Sequence, residues 1–140
     1  ADSLRHADEA RAIEAARAAL LAAVYFDFDR SEIRQPDRPL LERKSALLTL
    51  NRPVRLRVEG NTDERGSDEY NLALGMRRAA EIRRFLMTQG IDSSRVAITS
   101  SGEERPACRE QDDSCRSRNR RAEFTIVAGA ERIVAEQRRP

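Results

Sequence analysis

Val54, Leu56 and Val58 alternate with Arg55, Arg57 and Glu59, and no other stretch constrains this chain so strongly. Side chains two apart point to one side of an extended chain, so this is a strand with one apolar and one charged face. On either side of it the period changes. Leu40, Leu41, Lys44, Leu47 and Leu48 are spaced for a helix over 36–50, with Asp37 and Pro39 at its start and Asn51 and Pro53 ending it. Ser67 opens a longer helix whose apolar stripe, Leu72, Met76, Ala79, Ile82 and Leu86, stops at Gly90. Val24, Phe26 and Phe28 alternate with Tyr25 and Asp27 as a first strand, and Val96 to Ser100 form a third. Arg121 to Val127 form a fourth, with Ala122, Phe124 and Ile126 on one face; a polar loop over 102–119 precedes it. The order is strand, helix, strand, helix, strand, long loop, strand. It predicts a two-layer α/β (α+β) sandwich: a mixed four-stranded sheet with two main helices packed on one face.

A chain of 140 residues is enough for one domain. Residues 1–21, rich in Ala, Arg and Glu, carry only Leu4, Ile13, Ala16 and Leu20 at helical spacing, which predicts a helical stalk or linker. The domain is expected over 22–129, and 130–140 as a charged tail. The longest apolar run, Ala18 to Phe26, is closed by Asp27 and Asp29 and is too short to span a bilayer. The 26 basic residues face 24 acidic ones, a balance that argues against a nucleic-acid partner. Lys44 is the only lysine, and an arginine-rich surface suits bidentate recognition of carboxylates. Cys108 and Cys115 are too few for a structural zinc site, so no metal is expected. A disulfide closing a short loop in an oxidising compartment is the favoured reading of the pair, and two free thiols the alternative.

Four fragments then fall in order. Tyr25-Phe26-Asp27-Phe28-Asp29 is followed by Ser31 and Ile33. Gly60-Asn61-Thr62-Asp63-Glu64-Arg65-Gly66-Ser67 runs on through Tyr70-Asn71-Leu72 to Arg77-Arg78-Ala79. Ser101-Gly102-Glu103-Glu104-Arg105-Pro106 comes third, and Asn119-Arg120-Arg121-Ala122-Glu123 last. Over about residues 22–128 this pattern resembles the OmpA-like C-terminal domain family, and within it the peptidoglycan-associated lipoproteins. The resemblance implies a periplasmic module that binds the diaminopimelate of the peptidoglycan stem peptide. It also implies association with the outer membrane through a lipid anchor that these residues do not carry, and a TolB-like periplasmic partner of a Tol-Pal-like system. Position by position, it assigns ligand binding to Asp63 and the preceding Thr62, to Arg78, to Asp27, Phe28 and Asp29 bordering the pocket, and to Asn119 and Arg121 closing it. Asn61 stands where many relatives have histidine, which takes a titratable group from the pocket rim.

The chemistry agrees with these assignments. Diaminopimelate ends in a carbon bearing an ammonium and a carboxylate. Asp63 can accept from the first, and the planar fork of Arg78 can hold the second. N–H groups opening the Ser67 helix would add positive character. Alternation puts Arg120 and Ala122 on one face and Arg121 on the other. Replacing Asp63 or Arg78 by alanine is expected to remove binding while leaving unfolding nearly unchanged. No catalytic residues and no cofactor are expected: Cys108 has no histidine partner, and His6, the only histidine, lies in the stalk. The competing class is a periplasmic protein-interaction module without wall binding.

Overall fold

The computed structural model describes residues 2–136. Strand β2 (Arg55–Asn61) lies between β4 (Arg121–Ala128) and β3 (Val96–Gly102), and β1 (Val24–Tyr25) completes the sheet order β1-β4-β2-β3. β2 is parallel to β3 and antiparallel to β4, and β1 is antiparallel to β4, so the sheet is mixed and four-stranded as the pattern predicts. Leu56 and Val58 are fully buried, whereas Arg55 and Arg57 are exposed on the opposite face. Helices α2 (Arg38–Leu50) and α3 (Asp68–Thr88) share the inner core through Leu41, Leu47, Leu48, Ile82 and Leu86.

Three local expectations differ from what forms. The first strand stops at Tyr25, because the chain turns over Asp27 to Arg30 instead of continuing the ladder; Phe26 is buried and Phe28 is 53% exposed. The 102–119 loop contains a short helix, α4 (Asp113–Asn119), capped where the Asp112 carboxylate accepts from the Cys115 N–H at 2.8 Å. On the first half of α3 the buried residues are Asn71, Leu74, Gly75 and Arg78, while Leu72 and Met76 are exposed. The helix is thus turned relative to its apolar stripe. The reason is a backbone contact: a Cβ on Gly60 would lie 1.7 Å from the Gly75 carbonyl oxygen, and one on Gly75 would lie 2.2 Å from Ser100 Oγ. Two glycines facing each other let α3 rest directly on β2 at this level.

The terminal segments pack more than their composition predicts. Helix α1 (Asp2–Leu21) is exposed at its start, but Ala16 and Leu20 are fully buried. Lys44, with no exposed surface, donates to the carbonyls of Ala19, Leu20 and Ala22 at 2.7–2.8 Å and lies 3.7 Å from the centre of the Phe124 ring. It therefore caps the end of α1 with all three of its N–H groups. Beyond β4, Ile133 is buried, and Asn51 exchanges two hydrogen bonds with the Val134 backbone. The expected tail thus joins the core as far as these residues; 137–140 fall outside the described residues.

Burial lowers Lys44 from 10.5 to about 7. Its folded pKa is below its unfolded one, so between about 7 and 10.5 the unfolded chain binds more protons and stability rises with pH. Lys44→Met removes that slope and leaves three carbonyls uncapped, at a cost of about 1–3 kcal/mol. Urea unfolding at pH 6 and pH 9 checks this: the wild type gains stability relative to Lys44→Met at the higher pH.

Candidate functional site

The loop that follows β2 and the first half of α3 meet the turn after β1 in a cleft of about 240 Å³. Phe28, Asp29, Thr62, Asp63, Asn71 and Arg78 are among the residues that line it. Arg78 is its most constrained member. Its side chain comes up from α3 with no exposed surface, and Nε donates to the Arg30 carbonyl at 2.8 Å. Nη1 donates to the Asn61 carbonyl at 2.8 Å and Nη2 to the Asp27 carbonyl at 3.0 Å. A guanidinium has five N–H groups, so one on each terminal nitrogen is left uncommitted. Burial, then the nearby Arg120, lowers Arg78 to about 10, so it keeps its charge at neutral pH.

Asp63 is 4% exposed and already complemented by cations. Oδ1 accepts from the Arg65 backbone N–H at 3.0 Å; Oδ2 accepts from Arg65 Nη2 at 2.8 Å and Arg120 Nη1 at 3.4 Å. Burial alone would raise its pKa, but these bonds from Arg65 and Arg120 outweigh it and hold the carboxyl below its ordinary value. The Arg65 guanidinium also lies 3.8 Å from the centre of the Phe28 ring. Thr62 is fixed by its N–H to the Gly102 carbonyl at 2.8 Å. Asp29 takes a left-handed backbone conformation (φ 56°), alone among the described non-glycine residues, and its carboxylate accepts from the Tyr70 hydroxyl. Aspartate tolerates this conformation better than most residues.

Other assigned residues lie elsewhere. Asp27 contributes its backbone carbonyl, not its carboxylate, which sits 3.8 Å from Arg34. Asn119 spends its side chain inside the disulfide loop, accepting from the N–H groups of Ala107 and Cys108 and donating to the Cys108 carbonyl. Cys108 and Cys115 are bonded, with their Cα atoms 5.8 Å apart. Arg121 points away, to Glu123 at 2.8 Å and the Arg105 carbonyl at 2.9 Å. The arginine that reaches Asp63 is its neighbour Arg120, which also donates to the Phe26 carbonyl at 2.9 Å. The alternation that puts Arg120 with Ala122 already carried this information. Asn61 is buried, not on the rim, with Oδ1 unpaired. Asn71 is buried too, and its unpaired Oδ1 belongs to a cleft-lining residue. Positive character comes from the arginines more than from the start of α3, whose first turn carries Asp68 and Glu69.

The sequence model of the OmpA family matches residues 25–120. The peptidoglycan-associated lipoprotein of Mesorhizobium japonicum is 47% identical over 107 residues, covering 76% of this chain and 63% of that protein. That of Agrobacterium fabrum is 45% identical over 107 residues, covering 76% and 60%. The chain therefore spans less than two thirds of the length of these relatives. The crystal structure of the peptidoglycan-associated lipoprotein from Burkholderia pseudomallei superposes with a TM-score of 0.73 at 36% identity, over 74% of this chain and 88% of that one.

Three substitutions test the geometry. Arg120→Ala should raise the Asp63 pKa towards the ordinary carboxylate value and Arg121→Ala should leave it in place, read by NMR titration of the Asp63 carboxyl carbon. Arg78→Ala, expected from sequence to leave unfolding unchanged, instead strips three backbone carbonyls of their donor, that of the buried Asn61 among them. It should cost about 3–5 kcal/mol in urea unfolding.

Proposed function

Because this chain belongs to the OmpA family, we propose that it holds peptidoglycan without cutting it, by taking the diaminopimelate of a stem peptide into the Asp63 cleft. The observation that carries this is one cleft lined by both a buried carboxylate and a buried guanidinium. The distal carbon of diaminopimelate bears the complementary ammonium and carboxylate. Arg65 Nη2 donates to Asp63 Oδ2 at 2.8 Å, where a ligand ammonium would sit. The ammonium replaces it, and Arg65, stacked on Phe28, remains beside the incoming carboxylate. That carboxylate takes the uncommitted N–H groups of Arg78, a donor set whose other bonds already fix its direction. Thr62, Phe28 and Asp29 form the walls. A carboxyl held ionised by two arginines is a poor general acid, which supports binding without hydrolysis.

The proposal extends to a place in the cell. The relatives in M. japonicum and A. fabrum are named peptidoglycan-associated lipoproteins, which supports a periplasmic module tied to the outer membrane by a lipid anchor. Within a Tol-Pal-like system a TolB-like protein would dock over the same end of the domain and compete with the stem peptide. Phe28 and Tyr70, 53% and 44% exposed at the cleft rim, support such a second use and favour the interaction module as the rival account. Co-sedimentation with purified sacculi separates the two, because only the wall binder sediments.

Asp63→Asn keeps the shape and removes the charge, so it isolates the ammonium contact better than truncating Arg78 does. Loss of about 2–5 kcal/mol of binding is expected by calorimetry against a diaminopimelate stem peptide. A peptide with lysine at that position keeps an ammonium but leaves Arg78 without its carboxylate, and should bind far more weakly than the diaminopimelate peptide. Because Asp63 titrates below the ordinary range, wild-type affinity should hold as the pH falls from 7 to 5. Equal affinity for the two peptides contradicts the assignment.

A further inference from the structure

The end of the sheet opposite the cleft carries a second charged feature. β2 begins there at Arg55 and runs seven residues to the cleft end, a span of about 20 Å at the usual strand rise. Arg52 and Arg55 flank the start of β2, and Arg95 lies just before β3, which runs parallel to it. Arg57 projects from the outer face, paired in register with Ala97 and Thr125, neither of which carries charge. Arg52, Arg55 and Arg57 are exposed, and among the described residues none of them forms a salt bridge. The Asp92 carboxylate accepts from the Ser94 N–H at 2.8 Å and also feels the charges of Arg55 and Arg95. Val127, 48% exposed, falls at the irregularity in β4 opposite Arg55 and Leu56.

We propose that this end docks on a membrane surface carrying anionic phospholipid headgroups, while the cleft faces away. The charge is laid out for a surface and not for a single ion. Arg95, the arginine nearest to being enclosed, already gives Nη2 to the carbonyls of Leu48, Asn51 and Val54, so it forms no fork for a lone phosphate. What remains is the exposed Arg52, Arg55 and Arg57, of which Arg55 donates to the Ser94 carbonyl at 2.9 Å, and an exposed valine on the same strand pair; a flat layer of negative charge complements them. A single-stranded nucleic acid would want aromatic platforms, and the paired positions on this face are Ala97 and Thr125. Helix α1 reaches the same end, since Arg17 donates to the Ala130 carbonyl just past β4 at 3.2 Å. The inference does not depend on the wall-binding proposal, because it uses none of the cleft residues.

Vesicle flotation tests it with the whole 140-residue chain. The protein should float with phosphatidylglycerol/phosphatidylcholine vesicles and not with phosphatidylcholine alone, and less so as salt rises. Each arginine near such a surface is worth roughly five-fold in partitioning. The triple variant Arg52→Gln, Arg55→Gln, Arg57→Gln should therefore lose at least ten-fold and keep a wild-type circular dichroism spectrum. Asp63→Asn should float like the wild type. Equal flotation with both vesicle types, no flotation of the wild type, or undiminished flotation of the triple variant would overturn the proposal.

Discussion

Arg78 places a guanidinium out of water among three backbone carbonyls, and the cleft depends on that contact. The carbonyls come from two places: Asp27 and Arg30 in the turn after β1, and Asn61 at the end of β2. A single side chain thus fastens a loop, a strand end and a helix together. Without it, the loop carrying Phe28 and Asp29 would be held only from its exposed side, by Tyr70 on Asp29 and Arg65 on Phe28. The cost of burying the charge is met by hydrogen bonds and not by a paired acid, and a planar group with five donors suits this better than an ammonium.

The approach of α3 to β2 makes that contact possible. With any side chain at Gly60 or Gly75 the helix would be pushed outward, and Arg78 would no longer reach the Asn61 carbonyl. Electrostatics completes the arrangement. Arg65 and Arg120 keep Asp63 ionised where burial alone would favour its neutral form. The Arg116–Glu64 pair at 2.6 Å ties the residue beside Asp63 to α4, and so to the loop closed by Cys108 and Cys115. The cleft is a charged site held in shape by backbone geometry on one side and a cross-linked loop on the other.

The periodic parts of this fold are legible in the sequence, because burial on one face imposes a repeat. β2, β3, β4, the body of α2 and the second half of α3 all follow from apolar spacing. What spacing hides is the polar interior. On α3 the apolar positions Leu72 and Met76 point outward, while Asn71, Gly75 and Arg78 point inward, since the polar cleft and a helix–strand contact lie beneath. Lys44 sits at a core position because α1 needs its last carbonyls capped, which a hydrophobicity count does not register. Family resemblance pointed to Asp63, Arg78 and Arg121, and the geometry brings Arg120, not Arg121, to the Asp63 carboxylate. Alternation along β4 was the better guide there.

The central claim is that the ligand's zwitterionic end lies between Asp63 and Arg78. The most direct measurement is a nitrogen–proton NMR titration of the chain with a diaminopimelate stem peptide, following backbone amides together with arginine Nε–H resonances. The account predicts saturable shifts at Phe28, Asp29, Thr62, Asp63 and Asn71 and at the Nε–H groups of Arg65 and Arg78, with the amides of Arg55 and Arg57 still. Shifts centred on the outer sheet face or on α1, with Asp63 and Arg78 unmoved at saturation, would contradict it.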